Sequence, residues 1–194
     1  AEVKALQERI KAMEQEADYI RKRLKEDRGK ALRDSLTSLP NREAYDERFE
    51  LELERWKRYQ KPTTLVVADI DLFKSVNDSY GHLSGDKVLQ IIAKELRKRI
   101  RKTDFVARYG GEEFLVVMTH KSALAAKEVA EKIRLSIAKM KLIQKESNAH
   151  LPPISVSIGI AQSDNASDWK SLFEQADSAL YKAKKLGRNR CICA

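Results

Sequence analysis

Four carboxylates fall where they could hold a metal ion: Asp69 and Asp71 at the end of an apolar run, and Glu112 and Glu113 just after a glycine pair. Thr63 to Asp69 (TTLVVAD) is β-branched and apolar, the composition of a buried strand that ends in an acid. Tyr109-Gly110-Gly111-Glu112 separates two β-rich runs, Asp104–Arg108 and Glu113–Thr119. Paired glycines between such runs signal a hairpin, because primed turns need φ > 0. If the 63–69 strand neighbours the hairpin, these carboxylates converge at one end of a sheet. Oxygen ligands in that setting suit Mg²⁺, which keeps several waters and is usually completed by substrate phosphates. Asp71 has a competing use as the N-cap of the helix that follows, and Glu112 as a solvated turn carboxylate.

Phosphate ligands should lie near such a metal. Lys74 sits three residues past Asp71 on a short helix expected over 72–80, whose first amides at Leu72 and Phe73 form an anion site. Lys184 and Arg188 are four residues apart near the end of the last helix, so they are expected to share a face. Asn77 and Asp86 bracket a loop containing Gly81 and Gly85. Guanine offers adjacent N1–H and N2–H donors that one carboxylate such as Asp86 can accept together, and the Asn77 amide can bond another edge atom. Helix capping is the plainer use of both residues, with Asp86 starting the helix expected over 84–101.

Taken together these segments resemble the GGDEF family of diguanylate cyclases, in the variant with Glu112 at the aspartate position. The likeness runs in order from Asp34-x-Leu36-Thr37-x-Leu39-Pro40-Asn41-Arg42 through Asp69-Ile70-Asp71-Leu72-Phe73-Lys74, Asn77-Asp78, Gly81-His82 and Gly85-Asp86. It continues through Arg108-Tyr109-Gly110-Gly111-Glu112-Glu113-Phe114 to Tyr181-x-Ala183-Lys184-x-x-Gly187-Arg188-Asn189. The resemblance implies an enzyme that condenses two GTP molecules into cyclic di-GMP and releases two pyrophosphates, with two domains facing each other. It implies that Asp69, Glu112 and the Ile70 carbonyl hold two Mg²⁺ or Mn²⁺ ions, and that Asn77 and Asp86 read guanine. Lys74, Lys184, Arg188 and the Phe73 amide region would hold phosphates, with Glu113 assisting the metal or deprotonating the hydroxyl. Arg101-x-x-Asp104, five residues before the turn glycines, resembles the family's product-inhibition site, with Arg108 in support. The alternative within the same likeness is a catalytically inactive cyclic di-GMP receptor; the intact turn, Asp69, Asn77 and Asp86 argue against it.

The elements that must position these residues follow from periodicity. Val3, Leu6, Ile10, Met13, Ala17, Ile20 and Leu24 alternate in steps of three and four, an a/d coiled-coil seam. In a parallel dimer Arg9 would face Glu14 and Glu16 would face Arg21, while an antiparallel pairing could match Arg9 with Glu16 and Glu14 with Arg21. The seam fails at Asp27 and Asp34, which places a dimerising helix over 1–26, a connector over 27–40 and a catalytic domain over 41–194. Asn41 caps a helix over 42–60, with Tyr45, Phe49, Leu53 and Trp56 on one face. Further helices are expected over 122–141 and 167–186, and strands over 154–161 and 190–193. A hairpin between helical crossovers argues for an α+β fold, and the family likeness makes it a mostly antiparallel five-stranded sheet flanked by helices, of the nucleotidyl-cyclase or palm type.

Composition bounds the rest. The 194 residues are 42% apolar and 35% charged, enough for one cored domain with an appendage. No apolar run reaches the length of a membrane span, and the N-terminus is charged rather than signal-like. The chain starts at Ala1, so a fragment or processed product is expected, cytoplasmic by default and compatible with the cytoplasmic part of a longer membrane-bound sensor. Cys191 and Cys193 form no disulfide framework, and His82, His120 and His150 show no ligand spacing. The net charge of +9 permits an anionic partner. Arg21-Lys22-Arg23 is too short to span a DNA groove, so no nucleic-acid partner is expected.

Overall fold

The computed structural model describes residues 2–145, 147–164 and 168–194. It separates into two units, Ala1–Arg33 and Asp34–Ala194. The first is one helix, α1 (Glu2–Ala31), with Glu2 in its first turn and Arg28 and Lys30 in its last, the charges its dipole favours. It buries none of its residues, and the seam positions Val3, Leu6, Ile10, Met13, Ile20 and Leu24 are all exposed. The helix continues through Asp27 to Ala31, so the expected connector over 27–40 is helical in its first third. Losing apolar residues from a seam ends burial; it does not end a helix whose residues are good helix formers. Ala1 and Ser167, included in the expected helices, lie outside the described residues.

The second unit opens with a turn on Asp34, whose carboxylate accepts from the Thr37 amide (2.8 Å) and hydroxyl (2.7 Å). Helix α2 (Arg42–Tyr59) follows, with Asn41 accepting from the Ala44 amide as its expected cap. The remaining elements are β1 (Thr63–Ile70), α3 (Phe73–Tyr80), α4 (His82–Arg99), β2 (Phe105–Arg108), β3 (Glu113–Thr119), α5 (Ala123–Ala138), β4 (Val156–Gln162), α6 (Trp169–Lys185) and β5 (Cys191–Cys193). They build one sheet in the order β2-β3-β1-β4-β5, antiparallel except for β4 with β5. This is the expected α+β, mostly antiparallel five-stranded sheet.

Alternation along the strands divides the core in two. Val66, Ala68, Ile70, Val116 and Ile158 face a layer with Leu89, Ile92 and Leu96 of α4 and Ile133 and Ile137 of α5. Leu65, Val67, Leu115 and Val117 face Tyr45 and Phe49 of α2 and Leu172, Ala176 and Leu180 of α6. An aromatic cluster of Tyr45, Phe49, Tyr109, Trp169 and Phe173 closes that second layer.

Helix α6 comes unusually close to the sheet at Gly159 of β4. A Cβ there would stand 2.0 Å from the Ala176 carbonyl oxygen and 2.4 Å from the Leu180 nitrogen, both backbone atoms of α6. Glycine is therefore what seats the helix that carries Lys184. Replacing Gly159 with Ala should destabilise the domain by about 1–3 kcal/mol, the usual range for overpacking. It should also move α6, and with it Lys184, outward from the sheet. Thermal unfolding of Gly159→Ala checks this; an unchanged Tm would show that α6 shifts freely.

Candidate active site

The central register brings the acids together. Asp69, near the end of β1, is the antiparallel partner of Glu113, the first residue of β3. Both continue the face formed by Leu65, Val67, Leu115 and Val117, so they lie on the α6 side of the sheet. The Ile70 amide donates to the Glu112 carbonyl (3.2 Å), which ties the turn bearing Glu112 to the end of β1. Helix α6 supplies a cation: Lys184 Nζ lies 3.0 Å from Asp69 Oδ1.

Burial first, and neighbouring like charge after it, shifts all three acids upward. Asp69, 8% exposed, is raised by burial, with Lys184 opposing. Glu112 is raised by burial and then by the Asp69 charge, and Glu113 by burial, Asp69 and Asp177. Carboxylates directly opposed across a strand pair are destabilising unless a cation lies among them. Among the described residues no three His, Cys, Asp or Glu side chains gather closely enough to form a metal cage by themselves. Two carboxylates with a backbone carbonyl is nonetheless a donor set that Mg²⁺ accepts, since phosphates and water complete its octahedron.

The turn itself departs from expectation. Among the described glycines only Gly81 and Gly187 have positive φ, so Gly110 and Gly111 are not there to make a primed turn. The Tyr109 and Gly110 amides both donate to the Glu113 carbonyl (2.9 and 3.3 Å), closing a wider loop. A Cβ on Gly111 would meet nothing within 4 Å, and one on Gly110 only the Glu113 side chain at 3.5 Å. The protein leaves open space over this turn.

Arg108 is committed to that turn. Its Nη2 donates to the Gly111 carbonyl (2.7 Å) and its Nη1 to both Asp34 oxygens (3.1 and 3.2 Å). It thus latches the Asp34 turn to the glycine loop. Arg101 and Asp104 do come together. The Arg101 amide, Nε and Nη2 all donate to the buried Asp104 carboxylate, and Nη2 also reaches the Thr119 carbonyl at 2.9 Å. The exposed Arg101 borders a basic cleft of about 600 Å³ with Arg48, Arg55, Lys61 and His120.

Asn77 and Asp86 stand on adjoining helices. Helix α4 begins at His82, so Asp86 lies inside it and does not cap it. Gly85 allows Asn77 to approach α4: a Cβ there would fall 1.8 Å from Asn77 Oδ1. Asp86 lines a cleft of about 470 Å³ together with Leu36, Leu83, Ile91 and Leu142. Lys74 is exposed on the first turn of α3, next to the buried Phe73. The residue before that helix is Leu72 with φ 54°, and it makes no side-chain cap, so Asp71 is not an N-cap. Asp71 instead accepts from Ser155 Oγ (2.7 Å), Ser157 Oγ (2.6 Å) and the Asn189 amide (3.0 Å). Helix α6 ends at Lys185, so Arg188 lies in the following turn and shares no helix face with Lys184. Ser155, Ser157 and Gly159 carried no local signal of their own in the sequence, whereas Asn189 appeared only as the last residue of the Gly187-Arg188-Asn189 motif.

A mixed sheet of this order, with an acid at the end of its central strand facing a glycine hairpin, defines a nucleotidyl-cyclase-like domain. The chain belongs to the family described as diguanylate cyclase, GGDEF domain, which it matches over residues 31–190. It is 46% identical over 190 residues to diguanylate cyclase DgcP of Pseudomonas aeruginosa, covering 97% of this chain but 28% of DgcP. It is also similar to the crystallised coiled coil and GGDEF domain of DgcB from Caulobacter crescentus in complex with c-di-GMP, at 33% identity and a TM-score of 0.92. That match covers 97% of this chain and 99% of the other. The active GGEEF domain of a diguanylate cyclase from Vibrio cholerae is 36% identical with a TM-score of 0.68, over 74% of this chain and 89% of that one.

The raised Glu113 has a measurable consequence. Between its ordinary value of 4.5 and its higher value in the fold, the folded protein holds the proton more tightly than the unfolded chain. Stability contributed by this group therefore falls as pH rises through that window and stays lower above it. In metal-free buffer Glu113→Gln should raise Tm at pH 7, and the gain should vanish near about pH 4, where the acid is largely protonated in both states. A gain independent of pH would show that ionisation of this buried, crowded acid is not its cause.

Proposed function

We propose that this chain condenses two GTP molecules into cyclic di-GMP, releasing two pyrophosphates, at a site completed when two copies face each other. In each half-reaction a ribose 3′-oxygen bonds to the α-phosphorus of the opposite GTP, and the bond from that phosphorus to pyrophosphate breaks. The observation that carries this reading is the face-to-face pair Asp69 and Glu113, with Glu112 tied beside them and Lys184 against Asp69.

Asp69, Glu112 and the Ile70 carbonyl would hold two Mg²⁺ or Mn²⁺ ions, which when bound acidify the attacking hydroxyl and stabilise the leaving pyrophosphate. Glu113 completes the negative site and accepts the hydroxyl proton. Lys74, Lys184, Arg188 and the Phe73 amide neutralise phosphates, while Asp86 and Asn77 accept from and donate to guanine edges. The open space over Gly110 and Gly111 leaves room for nucleotide against the backbone. The exposed α1 seam supports a parallel homodimer, which raises the effective concentration of one domain at the other. On this reading residues 1–26 dimerise, 27–40 connect and 41–194 carry catalysis. Cyclic di-GMP, the ligand of the DgcB neighbour, would return to Arg101 and Asp104 as an inhibitor. None of the described helices is long and apolar enough to cross a membrane.

Incubation of the chain, alone and tethered as a dimer, with GTP and Mg²⁺ should yield cyclic di-GMP. Glu112→Gln should lower the rate by about a hundredfold or more. Gly111→Ala should lose activity with Tm unchanged or slightly higher, because its Cβ meets no protein atom and stiffens the unfolded chain. Absence of product from both forms, or full activity in Glu112→Gln, contradicts the reading. Arg101→Ala should relieve inhibition by added product; equal inhibition in parent and variant removes that site from the account.

A further inference from the structure

Asp71 is a buried carboxylate that caps no helix; its charge is felt by the neighbouring Asp69, and its bonds join three segments of the chain. Its own amide donates to the Ser155 carbonyl (2.9 Å), and its side chain accepts from Ser155 Oγ, Ser157 Oγ and the Asn189 amide. Asn189 is gripped from the other side as well: Arg134 Nη1 donates to its carbonyl (3.1 Å) and to its Oδ1 (2.9 Å). Arg134 is in turn oriented by Glu131, which accepts from its Nε (2.9 Å) and Nη2 (2.7 Å).

What these bonds hold is an unfavourable backbone. Arg188 and Asn189 have φ of 62° and 46°, two consecutive non-glycine residues in the left-handed region. Such a pair persists only where neighbouring bonds over-determine it. Every backbone polar group of Arg188 is used, its amide donating to the Ala183 carbonyl (3.0 Å) and its carbonyl accepting from Arg190 Nε (3.0 Å). Its side chain is left exposed. The turn is thus a rigid mount for one guanidinium, fixed to the chain two residues past Asp69.

We propose that Asp71 is a positioning residue for Arg188: with Arg134 it locks the strained 188–189 turn so that the Arg188 guanidinium is pre-set for the triphosphate of GTP. This rests on the phosphate role given to Arg188 above. Asp71 touches no substrate; it lowers the entropy that Arg188 would otherwise lose on binding.

The test is a cycle of variants in the full chain, read as KM and kcat for GTP with Mg²⁺, with Tm recorded for each. Arg188→Ala should raise KM roughly tenfold and leave kcat within about threefold, the scale of one lost charged hydrogen bond. Asp71→Ala should do the same. Asp71→Asn should return KM to within about threefold of the parent, since one amide oxygen can still accept from Ser155 and Asn189 while its NH₂ donates to Ser157. The Asp71→Ala/Arg188→Ala double variant should be no worse than Arg188→Ala alone, because the two act as one unit. Additive effects, or an unchanged KM in Asp71→Ala, overturn the inference while leaving the phosphate role of Arg188 intact. An unchanged KM in Arg188→Ala overturns both. If Asp71→Ala does not fold, Arg134→Ala carries the comparison from the surface: a raised KM in the parent but not in the Arg188→Ala background supports the lock, and an equal rise in both overturns it.

Discussion

The site depends on one register. Pairing β1 with β3 so that Asp69 faces Glu113 sets two carboxylates directly opposite each other at the end of a buried strand pair. The same register runs back through Val67 with Leu115 and Leu65 with Val117, whose burial fixes it. A slip by one residue would turn all of these side chains to the other face, so the apolar core enforces the electrostatic crowding at its edge. The Ile70 amide then ties the Glu112 carbonyl to the same strand end, which leaves the Glu112 side chain within reach of the Asp69 charge. The fold thus accepts a repulsive arrangement whose natural remedy is a cation.

The surrounding elements supply positive charge in graded ways. Lys184 reaches Asp69 because α6 rides close over Gly159. Arg108 ties the glycine turn to the Asp34 turn, joining the segment before α2 to the loop between β2 and β3. Asp71 performs the corresponding task at the other edge, holding the turn after α6 against the start of β4. The residues that the proposal assigns to nucleotide are therefore braced by ion pairs and buried hydrogen bonds from behind, and the space over Gly110 and Gly111 stays open.

Much of this was legible in the sequence where the signal is local. TTLVVAD reads as a buried strand from its branched residues alone, Asn41 as a cap from its place after Pro40, and the seam of α1 from its spacing. The two runs flanking the glycines paired as a hairpin as expected. What could not be read was set by contacts far apart in the chain. Asp71 looked like a helix cap because that use needs only neighbours, whereas its actual partner Asn189 lies 118 positions away. Arg108 meets Asp34 at a separation of 74, and Gly159 answers to α6 rather than to any turn of its own. The glycine pair was assigned correctly to a turn for the wrong reason: its backbone stays out of the left-handed region, and its small size serves space rather than φ. Lys184 and Arg188 seemed to share a helix face because four-residue spacing implies one, but the helix stops between them.

The central claim is that the crowded acids at the β1–β3 edge are a cation site completed by nucleotide. It is tested most directly by Mn²⁺ binding, followed by electron paramagnetic resonance, with and without a non-hydrolysable GTP analogue. The account requires Mn²⁺ to be taken up by the chain together with the analogue and to remain free when Asp69 is replaced by Asn. Equal uptake by the parent and Asp69→Asn chains would contradict it.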